Sequence, residues 1–124
     1  MKKKVLLIED DGAIIDVYRI GLEAAGFEVE VIMNGKQAIE RLSKDGDMPD
    51  IVFLDLLLPD MNGMEALAQI RKAGKVKDTP ILVLTNYSDS ELEKMGYDLK
   101  TEKHLLKSDY TPSQLAELAK ERLK

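Results

Sequence analysis

The chain has 124 residues, 44% of them apolar and 33% charged, with a net charge of −5. A chain of this length and composition is expected to form one ordered domain over residues 1–124 and to bury roughly two-thirds of its unfolded surface. The acidic balance argues against direct nucleic-acid binding, and the absence of cysteine excludes disulfides, thiolate catalysis and cysteine metal sites.

Three lysines, Lys2 to Lys4, lead into the apolar run VLLI (5–8). Glu9-Asp10-Asp11 end that run at once, so it is too short for a signal peptide and reads as a first strand. A helical pattern over 12–25 stops at Gly26. EVEVI (28–32) alternates as a strand, and a second helix is predicted at 35–44. IVFL (51–54) precedes a helix at 63–73. Pro80 stands where a missing N–H is tolerated, just before ILVL (81–84). A helix at 88–96, the short strand HLL (104–106) and a helix at 112–123 complete the series. Thr111-Pro112-Ser113-Gln114 forms a capping-box pattern with proline at the first helical position. Lys120, Arg122 and Lys124 suit the negative end of that last helix. No apolar run approaches the ~20 residues of a membrane helix, so no membrane partner and a cytoplasmic location are expected.

Five strand–helix pairs predict an α/β fold, a doubly wound five-stranded parallel sheet with helices on both faces. VLLI, IVFL and ILVL are apolar throughout, as strands covered on both sides must be. EVEVI alternates and HLL is short, which makes them the two edges. The strand order is then 2-1-3-4-5, the flavodoxin-like arrangement.

Ligands in such sheets bind beyond the carboxyl ends of the strands. The first strand ends in Glu9-Asp10-Asp11, the third in Asp55, the fourth in Thr85 and the fifth in Lys107. Carboxylates from the first and third strands would face each other, and each like-charge pair at ~5 Å costs about 3 kcal/mol at an effective dielectric near 20. A hard divalent cation such as Mg2+ relieves that repulsion, and Lys107 adds a second positive charge. The same set of groups suits a phosphoryl group: the metal and Lys107 would neutralise its oxygens, and Thr85 would donate to it. Asp55 is then either a metal ligand or a nucleophile.

These residues resemble the receiver domain of bacterial response regulators over essentially the whole chain. The pieces that carry the likeness are VLLIEDD, IVFLDLLLPDMNGME, TPILVLT and HLLKSD, in order and at family-like separations. The resemblance implies that Asp55 accepts a phosphoryl group from a phosphohistidine on a sensor histidine kinase or phosphotransfer protein. It implies Mg2+ held by Glu9, Asp10, Asp55 and the backbone carbonyl of Leu57, with Glu9 acting through water. Thr85 would turn toward the phosphoryl group, Lys107 would pair with it, and Pro59 and Gly63 belong to the loop after the acceptor strand. Phosphorylation would switch the face made by the fourth helix, fifth strand and fifth helix for an effector that the sequence does not identify. The reading is of a receiver and not of an enzyme, and these residues contain no output domain.

Four positions depart from the family pattern. Ser108 replaces the usual proline after Lys107, which predicts either a cis bond enforced by the site or a different loop. His104 takes the place of the switching aromatic residue, as a pH-sensitive reporter or as a plain edge-strand histidine. Asn86 replaces a small residue, and with Leu57 and Tyr87 predicts slow hydrolysis of the phosphoryl form. Gly96 comes early and predicts a long connection from Tyr97 to Lys103. Asp11 reads as a helix cap, Asp60 and Asn62 as turn and cap residues, the methionines as core filler, and Glu23, Glu28 and Glu30 as solvated surface.

Three rivals follow from the same residues. A Mg2+-dependent phosphatase would want a second carboxylate near Asp55, where Leu57 stands. A nucleotide or flavin binder would want a glycine- or hydroxyl-rich loop where Glu9-Asp10-Asp11-Gly12 stands. An inert receiver-like module is opposed by the intact acids, Thr85 and Lys107.

Overall fold

The alternating runs assemble into one parallel sheet in the computed structural model, which describes residues 2–97 and 104–124. Its strands are β1 (Lys4–Ile8), β2 (Glu28–Ile32), β3 (Ile51–Asp55), β4 (Ile81–Thr85) and β5 (His104–Leu106). Its helices are α1 (Gly12–Ala24), α2 (Gly35–Ser43), α3 (Gly63–Ala73), α4 (Asp89–Lys94) and α5 (Pro112–Arg122). The strand order is β2-β1-β3-β4-β5, and every pairing is parallel. The expected edges are the observed ones. All of β3 and β4 is buried, whereas in β2 Glu28 is exposed and only Val29 is buried.

The two-residue period of the strands sorts the core into two layers. Val5, Leu7, Ile51, Phe53, Leu82 and Leu84 pack with α1 and α5. Leu6, Ile8, Val52, Leu54, Ile81 and Val83 pack with α2, α3 and α4. Each fully buried side chain of this kind contributes about 1.5–3 kcal/mol, and that packing holds the strand ends still. The same period divides the polar ends. Asp55 continues the Ile51–Phe53 row, toward α1 and α5. Thr85 continues the Ile81–Val83 row, toward α4.

Helix boundaries follow the expected chemistry. Asp11 caps α1 by accepting from the backbone N–H groups of Ala13 and Ile14. Thr111 and Gln114 form the reciprocal capping box of α5, with Pro112 at its start. Gly26 (φ +96°) and Gly96 (φ +90°) follow the ends of α1 and α4 in the left-handed region. The α4 helix is shorter than the 88–96 pattern suggested, and the Tyr97 N–H closes its end by donating to Leu92 O at 3.0 Å. Residues 98–103 of the predicted connection lie outside the described residues. No cis bond occurs among the described residues. Of the two arrangements expected at Lys107–Ser108, the chain takes the different loop, a 3-10 turn over Lys107–Asp109. Glu30 is not simply solvated: Arg41 donates to both its oxygens at 2.9 and 3.1 Å, because α2 packs beside the edge strand.

Candidate functional site

Four polar side chains are buried among the described residues: Glu9, Asp55, Thr85 and Lys107. Each was singled out from a strand end, and the sheet order brings the first, second and fourth together. Lys107 Nζ donates to Glu9 Oε1 at 2.5 Å and stands 3.4 Å from Asp55 Oδ1. Glu9 Oε2 accepts from the N–H groups of Asp10 and Asp11 at 3.0 and 3.3 Å. Both Glu9 oxygens are therefore occupied. Lys107, expected to offset the charge of Asp55, makes its shorter contact with Glu9. Removing one member of such a buried pair costs about 3–5 kcal/mol, because the other charge is left without a partner.

Asp55 lies at the very end of β3, where the sheet gives way to solvent. Burial raises its pKa to about 7, the negative charge of Glu9 adds to the rise, and Lys107 opposes it. The Leu57 N–H, 3.4 Å from Asp55 Oδ1, also favours the charged form. Burial alone would lower the pKa of the Lys107 ammonium, but Glu9 and Asp55 outweigh it and the net shift is upward. Near neutral pH the centre is thus a lysine between two carboxylates, one of which retains a proton readily.

Asp10 completes the acidic set. One oxygen from each of Glu9, Asp10 and Asp55 lies within 4.8 Å of the other two. Asp10 is exposed, and among the described residues its carboxylate has no hydrogen-bond or ion-pair partner. Every donor here is oxygen, the ligand type that Mg2+ takes. The residues fit such an ion: among the described residues Asp10 offers an unpaired carboxylate, Asp55 stands beside it with only long contacts at Oδ1, and Glu9, already bonded on both sides, suits a contact through water. Leu57 is two residues beyond Asp55 and 41% exposed.

Thr85 stands apart from this cluster. Among the described residues its hydroxyl bonds neither Asp55 nor Lys107; it accepts from the Tyr87 N–H at 3.1 Å. It lines an open cleft of about 410 Å³ with Tyr87, Ser88, Asp89, Ser90, His104, Leu106 and Asp109. His104 places a buried Nε2 there that has no hydrogen-bond partner among the described residues.

Two residues carry more than their sequence context suggested. Tyr18 is buried on α1, and its phenol lies within the fields of Lys107, Glu9 and Asp55 while burial raises its pKa. The only sequence signal was a tyrosine on the inward face, in step with Ile15 and Leu22. Asn62 caps α3 as expected, by accepting from Met64 N–H. Asp60 does not serve its own turn alone: it accepts from Gly35 and Lys36 N–H at 2.8 and 2.9 Å, across 25 and 24 residues.

Comparison with known proteins gives a consistent result. The family described as "Response regulator receiver domain" matches residues 5–120. The phosphate regulon transcriptional regulatory protein PhoB of Rhizobium meliloti is 31% identical over 116 residues, covering 94% of this chain and 50% of that protein. Response regulator MprA of Mycolicibacterium vanbaalenii is 33% identical over 107 residues, covering 86% of this chain and 45% of that protein. The chain therefore spans about half the length of these curated relatives. Among solved structures, the chemotaxis response regulator CheY4 of Vibrio cholerae is 28% identical with a TM-score of 0.81, over 99% of this chain and 100% of that one. The receiver domain of sensor histidine kinase PA1611 from Pseudomonas aeruginosa, described with magnesium in its active-site cleft, has a TM-score of 0.83. At 21% identity over 99% of this chain and 98% of that one, this second likeness is one of fold.

Proposed function

The chain belongs to the response regulator receiver domain family, and from that premise we propose that Asp55 is the phosphoryl acceptor of a two-component phosphorelay. The donor is a phosphohistidine on a sensor histidine kinase or phosphotransfer protein. The reading is of a cytoplasmic signalling domain that binds an effector protein and neither nucleic acid nor membrane directly; no helix among the described residues is long and apolar enough to cross a membrane. The observation that carries it is the convergence of Glu9, Asp10, Asp55 and Lys107 at the ends of β1, β3 and β5.

A deprotonated Asp55 oxygen gives an electron pair to phosphorus, the donor's P–N bond breaks, and its pair leaves on the imidazole nitrogen. The end of a fully buried strand keeps the nucleophile from drifting, which is the entropic part of the acceleration. Asp10, Asp55 and the Leu57 carbonyl, with Glu9 behind them, would hold Mg2+, which would supply charge neutralisation at the phosphoryl oxygens. Lys107 can move its charge from Glu9 to the new phosphoryl group, since it already lies 3.4 Å from Asp55. Thr85 would exchange its bond from Tyr87 N–H for one donated to the phosphoryl oxygen. That movement alters the cleft beneath His104, and so biases α4, β5 and α5 toward a second state. With no second carboxylate at Leu57, the domain undergoes one phosphorylation and a slow hydrolysis and does not turn over a substrate.

The test is incubation with acetyl phosphate and Mg2+ followed by intact-mass measurement. The expected result is one phosphoryl adduct, lost on chelation of the metal and absent in Asp55→Asn. An adduct that survives in Asp55→Asn, or none in the native chain, overturns the assignment.

A further inference from the structure

Asp60 is exposed, yet it is bound more specifically than a turn residue needs to be. Its two carboxylate oxygens accept from consecutive backbone N–H groups, Gly35 and Lys36, in the first turn of α2. These two bonds hold its carboxyl below the usual aspartate range. The neighbouring Met61 packs onto the same turn so closely that a Cβ at Gly35 would meet its Cγ at 2.4 Å. Asp60 and Met61 sit at the tip of the loop that follows Asp55. At its base, Gly63 N–H donates to Leu56 O at 2.7 Å, and Leu57 bridges Asn62. A Cβ at Gly63 would stand 2.5 Å from Asp55 O, so only glycine lets the base close. The loop is therefore fixed at the base by its own backbone and at the tip by α2.

We propose that Asp60 is a positioning residue: by strapping the loop 56–62 to α2, it sets the place of Leu57 beside Asp55. Where the site holds Mg2+, an inference that rests on the function proposed above, the strap also tunes metal affinity. The local cap of α2 is a separate device. Asn34 Oδ1 accepts from Gln37 N–H at 2.9 Å, and among the described residues its side chain makes no hydrogen bond to the loop. Asn34→Ala therefore loosens α2 without cutting the strap, which separates loss of helix stability from loss of loop position.

The experiment is amide hydrogen exchange and Mg2+ titration followed by NMR, on the native chain, Asp60→Ala, Asp60→Asn and Asn34→Ala. In metal-free protein the amides of Leu57, Asn62 and Gly63 should exchange about tenfold faster in Asp60→Ala, the size expected for loss of charge-assisted hydrogen bonds. They should be unchanged in Asn34→Ala, and intermediate in Asp60→Asn, which keeps one acceptor oxygen. In the titration, Asp60→Ala should weaken Mg2+ by about tenfold. Gly35 and Lys36 amides of the native chain should shift together with those of the loop as metal is added. Unchanged exchange at Leu57 in Asp60→Ala, or equal acceleration in Asn34→Ala, overturns the strap. A native chain that binds no Mg2+ defeats the metal reading, and the metal-free exchange then still decides the strap.

Discussion

On one side of Asp55, the loop 56–62 and the buried Glu9–Lys107 pair are held by bonds that span long stretches of chain, 24 to 98 residues in sequence. On the other side, Thr85 and His104 stand over an open cleft bordered by α4, a six-residue helix with one buried residue, Leu92. By contrast α3 buries four residues, Gly63, Ala66, Leu67 and Ile70. The first side holds Asp55 and its counter-charges fixed. The second is lightly packed, and elements with few buried contacts open at low free-energy cost. The function proposed above uses both: rigidity where phosphorus would be attacked, and a nearby element that a single new charge could shift.

The largest effect should come from the fixed side. Lys107→Met leaves Glu9 buried 2.5 Å from where its cation stood, and the chain should lose about 3–5 kcal/mol of stability in urea unfolding near neutral pH without metal. Mg2+ should restore part of that loss. A loss under about 1 kcal/mol would mean that this side is as loosely held as the other.

The next concerns pH. The raised Asp55 pKa means that the folded chain keeps a proton, between the ordinary 3.8 and about 7, that the unfolded chain has released. That contribution is complete below 3.8 and is lost as pH rises through about 7. Metal-free stability should therefore fall between about pH 4.5 and pH 8, by roughly 1–4 kcal/mol at 1.4 kcal/mol per pKa unit. Asp55→Asn should flatten the slope, and so should saturating Mg2+. A slope unchanged in Asp55→Asn would place the proton elsewhere.

The smallest effect tests the yielding side. Ser88 closes the start of α4 through a reciprocal box with Glu91. Ser88→Ala should cost about 1 kcal/mol, seen as roughly fivefold faster exchange of α4 amides with little change in the global urea midpoint. If the global midpoint falls by the full amount, α4 unfolds with the whole domain and the contrast between the two sides disappears.

Much of this was legible in the sequence because it depends on local pattern. EVEVI alternates where VLLI, IVFL and ILVL do not, and together with the short HLL that ordered the sheet. The order then placed Asp55 at the end of β3, and Glu9 and Lys107 just past the ends of β1 and β5, on the same side of the domain. Less legible were choices made by three-dimensional neighbours. Asp60 looks like any turn aspartate, and only α2 arriving beside the loop gives it two N–H partners. Glu30 reads as surface until Arg41 closes on it. Lys107 had two acids within reach, and nothing local favours Glu9; its bonds to the Asp10 and Asp11 N–H groups hold that carboxylate ready for the lysine. Likewise, parity along β4 turns Thr85 toward α4, which becomes visible only once the two layers of the core are assigned.

The central claim is that Asp10, Asp55 and Glu9 form a single cation pocket in which Asp55 stays able to react. Calorimetric titration of metal-free protein with Mg2+ near pH 7, in buffers of different ionisation heat, tests it directly. The expected result is one bound equivalent, proton release as Asp55 gives up the proton that burial favours, and affinity at least about tenfold weaker in Asp10→Asn. No binding heat in the native chain, or equal affinity in Asp10→Asn, would contradict it.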